Sequence, residues 1–415
     1  MTTPKTTFVQ EIKSLSRPIW ILSGGVFIDR FGMFVVPFLV LFLTSNGVNK
    51  EIAGIAIGAF GLGSLAGAGL GGYLADRIGR RRTMGISMFG SGAFTLLTYA
   101  FSLYLTKTGA VWPLCLVTAC YGTVRGFYHA ASSSLVADLV PSESRVAAFA
   151  VLRFAINFGW ALGMTAAGFL AEIGFVWLFV IDAATSWIFG IVTVTCLPAG
   201  EKTEKEQSGW IPAFRNIVHD RQFLALCLNT LILATIYNQW NTSFAVLIQD
   251  RGHSAKLFGL IMALNGILIV LFEMPLSALG RRFTPALMIG LGTAVAGLGF
   301  GINAWMTTGL GFAFAMTVFT IGEMVSLPIQ GAYVSDLAPE KMRGRYNGMM
   351  GVMWSGANIV APTFGLALLG VSAEVLCFTV MGLGVAGALL LNVRKPAKFR
   401  RSAPVPAVSS GKEIR

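Results

Sequence analysis

Residues 26–42 read Val-Phe-Ile-Asp-Arg-Phe-Gly-Met-Phe-Val-Val-Pro-Phe-Leu-Val-Leu-Phe (VFIDRFGMFVVPFLVLF). This near-solid apolar run holds an aspartate and an arginine side by side, Asp29 and Arg30. A charged side chain at the centre of a bilayer costs at least about 2.5–3.5 kcal/mol on the gentlest scale, so charges kept there are rarely idle. On a helix the two side chains diverge by about 100° and cannot simply pair with each other. Each needs a partner on another helix or in water.

The rest of the chain has the same character. Its 415 residues are 55% hydrophobic and 12% charged, against roughly 25% charged in an average soluble domain, and the mean hydropathy is +0.71. No single soluble core buries that much apolar surface, which makes this an integral membrane protein. The net charge of +12 does not point to nucleic acid, because the basic residues sit in short loops and in the C-terminal tail, as cytoplasmic anchors do. The five cysteines lack metal-ligand spacing and read as small buried hydrophobes. The polar N-terminus leads into a span too long for a cleavable signal peptide.

Apolar segments of about 20 residues fall at 18–43, 52–75, 84–106, 111–137, 146–170, 175–197, 222–248, 255–277, 285–307, 309–335, 344–370 and 372–393. An all-α fold of twelve transmembrane helices follows. It divides into a six-helix bundle over 1–197, a charged central loop over 198–221, a second six-helix bundle over 222–393 and a basic tail over 394–415, expected to be disordered past about residue 402. Of the 31 Lys and Arg, four (Lys50, Lys107, Arg251, Lys256) fall in or at the edge of loops on one side and three (Arg30, Arg125, Arg153) within spans. The remainder lie on the other side, which places both termini and the central loop in the cytoplasm. The halves are copies: SLVADLVPSESR (134–145) and AYVSDLAPEKMR (332–343) share Asp-Leu-x-Pro-x-x-x-Arg, including Asp138, Arg145, Asp336 and Arg343, and IGRRR (78–82) is echoed by LGRRF (279–283). Duplicated six-helix halves point to a transporter with its substrate site between the repeats, near the bilayer midplane.

Between the second and third spans, Gly72-Tyr-Leu-Ala-Asp76-Arg77-Ile-Gly79-Arg80-Arg81-Arg82 resembles the signature loop of the major facilitator superfamily, and the span count, central loop and half-repeat extend the resemblance over essentially the whole chain. It implies two six-helix bundles rocking about a central site, a chain that acts as a monomer, and a latch at the cytoplasmic helix ends. By that resemblance Gly72, Asp76, Arg77, Gly79, Arg80, Asp138, Arg145, Asp336 and Arg343 are gating residues. Within the superfamily the chain looks like the twelve-helix proton-driven exporters, which carry an arginine where Arg125 stands and a glutamate where Glu323 stands. Gly159-Trp-Ala-Leu-Gly163-Met164-Thr-Ala-Ala167-Gly168 resembles the antiporter signature of the fifth helix, with Met164 in place of its proline and Ala167 in place of a glycine. The Asp29-Arg30-Phe31 run and Leu152–Gly159 are also similar to parts of the proton-coupled peptide symporters.

Seven acids and strong bases lie within spans, namely Asp29, Arg30, Arg125, Arg153, Asp182, Glu273 and Glu323. Arg125 and Glu323 each stand thirteen residues before the repeated aspartate, so they are equivalent positions expected to face one central cavity from opposite sides. Asp29 is either a structural partner of Arg153 or Arg125, a titrating site, or a substrate contact. Glu323 has no evident basic partner in its half, and burial of a lone carboxylate favours proton exchange. His129, one turn after Arg125, is either a proton relay or a satisfied polar residue. The proton-coupling set is thus Asp29, Arg30, Arg125, His129, Arg153 and Glu323. Phe34, Tyr237, Asn238, Trp240 and Asn241 are candidates for the substrate wall, where aromatic rings and amides suit organic solutes.

No nucleotide-binding loop, metal-ligand spacing or nucleophile constellation is present in the sequence, so no cofactor, metal or catalysis is expected. The expected activity is H⁺-coupled efflux of amphipathic organic compounds from a bacterial cell, across the inner membrane. Symport of peptides or metabolites is the alternative, and a non-transporting membrane sensor is an alternative of another class.

Overall fold

A computed structural model describes residues 12–140, 145–199, 219–280, 283–339 and 342–392. Most of the expected central loop, the tail from residue 394, and the side chains of His129, Arg145 and Arg343 lie outside the described residues.

Among those residues the helices form twelve spans and no strand. The first is broken into Arg17–Gly32 and Val35–Ser45, and the seventh into Arg221–Asn241 and Ser243–Asp250. The others are Lys50–Ile78, Arg80–Thr108, Trp112–Leu139, Arg145–Ile173, Val176–Cys196, Ala255–Gly280, Pro285–Gly301, Gly309–Leu337, Arg343–Val371 and Ala373–Asn392. All but the fourth, Trp112–Leu139, are long and apolar enough to cross a bilayer by length and composition. The fourth is equally long, and its polar residues lie among Thr118, Thr123, Arg125, Ser132 and their neighbours. This is an all-α membrane protein.

The two breaks separate what a hydropathy profile reads as single helices. Backbone groups freed inside a membrane must be satisfied by protein. At the first break the carboxylate of Asp182, fully buried on the sixth span, accepts from the backbone N–H of Val35 at 3.1 Å. An anion at a helix N-terminus also meets the positive end of its dipole. At the second break Gln239 accepts from the Ser243 hydroxyl at 2.6 Å and donates to the carbonyl of Ala361 on the eleventh span at 3.0 Å.

Small residues set the packing within each half, as in other membrane bundles. Gly63 and Gly67 on the second span press against the backbone of Ala119 and Thr123 on the fourth, leaving no room for a Cβ. Gly79 joins the second and third spans as a single-residue turn at φ 95°, a conformation that excludes side chains. Its place in the signature loop therefore has a backbone cause.

The halves meet along two seams, the second span against the eleventh and the fifth against the eighth. We call the end where the first span begins and the twelfth finishes the near end. At the far end the halves are joined by Lys50–Asp250 (2.6 Å) and Thr44–Gln249 (3.0 Å). Below these sits an aromatic seal that includes Phe38, Phe244 and Phe258. Along the second span, Gly54, Gly58 and Gly61 touch the eleventh, whereas Gly69 and Gly72, further along the same stripe, meet nothing within 4 Å. The two spans part toward the near end. The other seam stays bridged there by an ion pair between Arg153 and Glu273.

Candidate functional site

A cavity of about 430 Å³ lies between the halves, within the range of sites for drug-sized organic molecules. The first half contributes Arg30, Met33, Phe60, Asn157 and Trp160, among others. The second contributes Tyr237, Asn238, Asn241, Asn265, Glu323, Trp354 and Asn358. Among the described residues, Arg30 and Glu323 are the only charged ones on its wall.

The two charges of the opening stretch go separate ways. Asp29, 2% exposed, turns into the first half, where Arg125 of the fourth span donates to both its oxygens at 2.8 and 2.7 Å. Arg30 turns into the cavity. Its Nη1 lies 3.0 Å from the Met33 sulfur, its buried Nε has no hydrogen-bond partner, and it makes no ion pair among the described residues.

Glu323, 8% exposed, sits on the opposite wall. Its Oε2 accepts from Asn265 Nδ2 at 2.8 Å, and the same amide donates to Thr320 Oγ1 at 3.0 Å, which fixes its orientation. Among the described residues Glu323 has no ion-pair partner. Tyr237 lines the cavity with Arg30 and Glu323, and its ring meets Trp354 edge-on at 5.6 Å. Asn238 donates to Asn358 at 2.9 Å, and the side-chain amide oxygen of Asn241 (Oδ1) is buried without a partner among the described residues.

Several expectations change. Arg125 is repeat-equivalent to Glu323 but does not face the cavity, because its guanidinium is occupied by Asp29. Arg153 reaches across the seam to Glu273 rather than to Asp29. Phe34 and Trp240 are buried in the core instead of lining the wall, with Trp240 packed on Phe244, Phe300 and Phe319. Tyr237, Asn238 and Asn241 do line it. Trp160, Asn265, Trp354 and Asn358 were missed. The available signal for Asn265 was a lone amide inside GLIMALNGILIVLF.

At the near end, Arg80 forms an ion pair with Asp138 and donates to the Ser134 carbonyl at 3.2 Å, tying the third span to the fourth within the first half. Arg77 contacts the Tyr73 hydroxyl at 3.0 Å, and Asp76 and Asp336 are exposed.

The sequence profile described as Major Facilitator Superfamily matches residues 22–362 and 239–409. The chain belongs to the major facilitator superfamily. Among characterised relatives, a Na⁺, Li⁺, K⁺/H⁺ antiporter of Planococcus maritimus is 24% identical over 85% of this chain and 89% of its own. The quinolone resistance protein NorA of Staphylococcus aureus (strain COL) is 22% identical over 92% of this chain and 97% of its own. The solved structure of the nucleoside transporter NupG superimposes with a TM-score of 0.75 at 14% identity, covering 93% of this chain and 99% of that one, a likeness of fold. The superfamily member described here is thus a multi-pass membrane transporter with a polar, aromatic-walled cavity between its halves.

Proposed function

We propose that this transporter is an H⁺-coupled exporter of amphipathic organic compounds, with Glu323 as the group that exchanges the proton. The observation that carries this reading is the setting of Glu323: a buried carboxylate without a cationic partner among the described residues, on the wall of the cavity between the halves. A carboxylate removed from water this way holds and releases a proton according to what binds beside it. Substrate and proton then compete for one site, which is the minimal requirement of antiport. Similarity to an H⁺ antiporter and to NorA supports the direction.

In this reading the near end is cytoplasmic, as the distribution of Lys and Arg favours, and the protein sits in the plasma membrane of a bacterium. The cavity is then presented to the cytoplasm, ready to load. Rocking of the halves (1–197 and 222–393) closes the near end and breaks the Lys50–Asp250 and Thr44–Gln249 ties. The signature loop acts in the near-end latch, with Asp76 and Arg77 exposed here because that latch is open. Asp29 and Arg125 are a permanent pair that fixes the first span, leaving Arg30 and Glu323 to meet the substrate. The chain acts as a monomer.

The test is proton movement in proteoliposomes with an imposed pH gradient, scanning lipophilic amines, neutral drugs, dipeptides and sugars. Proton flux down the gradient in exchange for an amphipathic compound is expected. Co-movement of protons with a dipeptide or sugar would overturn it.

A further inference from the structure

The cavity carries one fixed positive charge and one exchangeable negative one, on opposite halves, and neither forms an ion pair among the described residues. The other ion pairs nearby are self-contained. Asp29 is held by Arg125, and Arg153 and Glu273 are paired with each other. The other polar side chains on the cavity wall are the guanidinium of Arg30, the phenol of Tyr237, the indoles of Trp160 and Trp354, and the amides of Asn157, Asn238, Asn241, Asn265 and Asn358, of which Asn265 donates to Glu323. Among the described residues Arg30 is held by a thioether contact, with its Nε buried and without a partner.

A buried donor or charge without a partner is costly, and a ligand that supplies the partner recovers that cost. A purely cationic substrate would neutralise Glu323 and leave Arg30 facing a second positive charge. A purely anionic one would do the reverse. A compound with an acidic group at one end, a basic amine at the other and a flat apolar body between satisfies both walls at once. The rings of Tyr237, Trp354 and Trp160, which line the same cavity, suit that body.

We infer that the preferred substrates are zwitterions, with the carboxylate held by Arg30 and the ammonium by Glu323. The inference rests on the exporter reading only for the use of this cavity as the substrate site. The arginine keeps its charge at all physiological pH, so the acidic end stays anchored while a proton displaces the amine from Glu323. Release is then triggered at one end of the molecule. Discrimination comes from penalty as much as attraction, because a singly charged analogue leaves one wall unpaired.

The experiment uses the purified full-length protein and three rigid bodies, benzene, naphthalene and biphenyl. Each is made as the aminomethyl carboxylic acid, its methyl ester (cation only) and its N-acetyl acid (anion only). Binding is measured by calorimetry, with proton movement measured in parallel in proteoliposomes. For at least one body the zwitterion is expected to bind about tenfold to a hundredfold tighter than either singly charged form, the range of a charge-assisted hydrogen bond. Arg30→Gln is expected to collapse the zwitterion-to-ester ratio toward one, and Arg30→Lys to restore part of it. Thermal melts of the variants separate loss of preference from loss of fold. If no body shows the preference, or if Arg30→Gln folds and keeps the wild-type ratio, the inference is wrong. Proton exchange with the esters alongside an absent zwitterion preference would leave the exporter reading standing and this inference overturned. A zwitterion preference without proton movement by any compound would do the opposite.

Discussion

Arg125 on the fourth span grips both carboxylate oxygens of Asp29 on the first, at 2.8 and 2.7 Å, with both residues under a tenth exposed. The grip decides which way the first span is turned. With Asp29 fixed toward the fourth span, its neighbour Arg30 is rotated by about 100° to the cavity. The pair is therefore a positioning device for the cavity as well as a packing feature.

Removing one partner leaves the other charge buried and uncompensated. Asp29→Asn is expected to destabilise the protein by about 3–5 kcal/mol. Replacing both residues by apolar ones of similar volume (Asp29→Leu with Arg125→Met) should cost markedly less. Thermal unfolding in detergent reads the comparison. Equal losses for the single and double variants would show that the pair is not the source of the effect.

Asp182 serves the break in the first span by accepting from the N–H of Val35. Asp182→Ala removes the acceptor and is expected to cost about 0.5–2 kcal/mol, as for lost helix caps. Asp182→Asn keeps an oxygen in place and should cost less. The order Ala worse than Asn, measured by the same unfolding assay, is the signature of capping; equal losses would point to the charge itself.

The far-end closure depends on glycine. A Cβ at Gly61 would lie 2.5 Å from the carbonyl oxygen of Asn358 and 2.9 Å from the Ile359 nitrogen, both main-chain atoms of the eleventh span. Gly61→Ala is thus expected to disfavour the far-end-closed state and enlarge the far-end-open population. Spin labels at Asn46 and Ser254, exposed on opposite halves, should show a longer distance component in the variant. An unchanged distribution would mean that the seam relaxes around the methyl group.

Twelve spans, their half-repeat and the loop signature are legible in the sequence because each is a matter of composition and spacing. The broken helices are not. The sequence around Met33 and Phe34 offers Gly32, at the end of the first piece, and Pro37, the third residue of the second, while the break at Thr242 has neither glycine nor proline beside it. Both are stabilised by partners distant in the chain, Asp182 and Ala361. The cavity was half-legible for the same reason. Repeat arithmetic found Arg125 and Glu323 as equivalents, but which way each side chain faces depends on Asp29 and Asn265, and neither pairing has a sequence period. Trp240 and Tyr237 show the limit well: three residues apart on one span, one is buried in the core and the other lines the cavity.

The charge carried per cycle differs between substrate classes. One proton exchanged for a net-neutral zwitterion moves one charge, whereas one proton exchanged for a monovalent cation moves none. A membrane potential contributes about 2.3 kcal/mol per elementary charge per 100 mV. An imposed potential without a pH gradient is expected to drive zwitterion exchange and leave cation exchange undriven. Equal response of the two classes would contradict one-proton exchange at a single carboxylate.

The most direct measurement compares two modes of transport in one variant. Glu323→Gln retains the shape and the hydrogen bond to Asn265 but cannot release a proton. In proteoliposomes, at substrate concentrations high enough to offset the lost contact to the substrate's amine, it is expected still to exchange labelled for unlabelled substrate while losing accumulation driven by a pH gradient. If Glu323→Gln accumulates substrate under a pH gradient as the wild type does, the proton is exchanged elsewhere and the central claim fails.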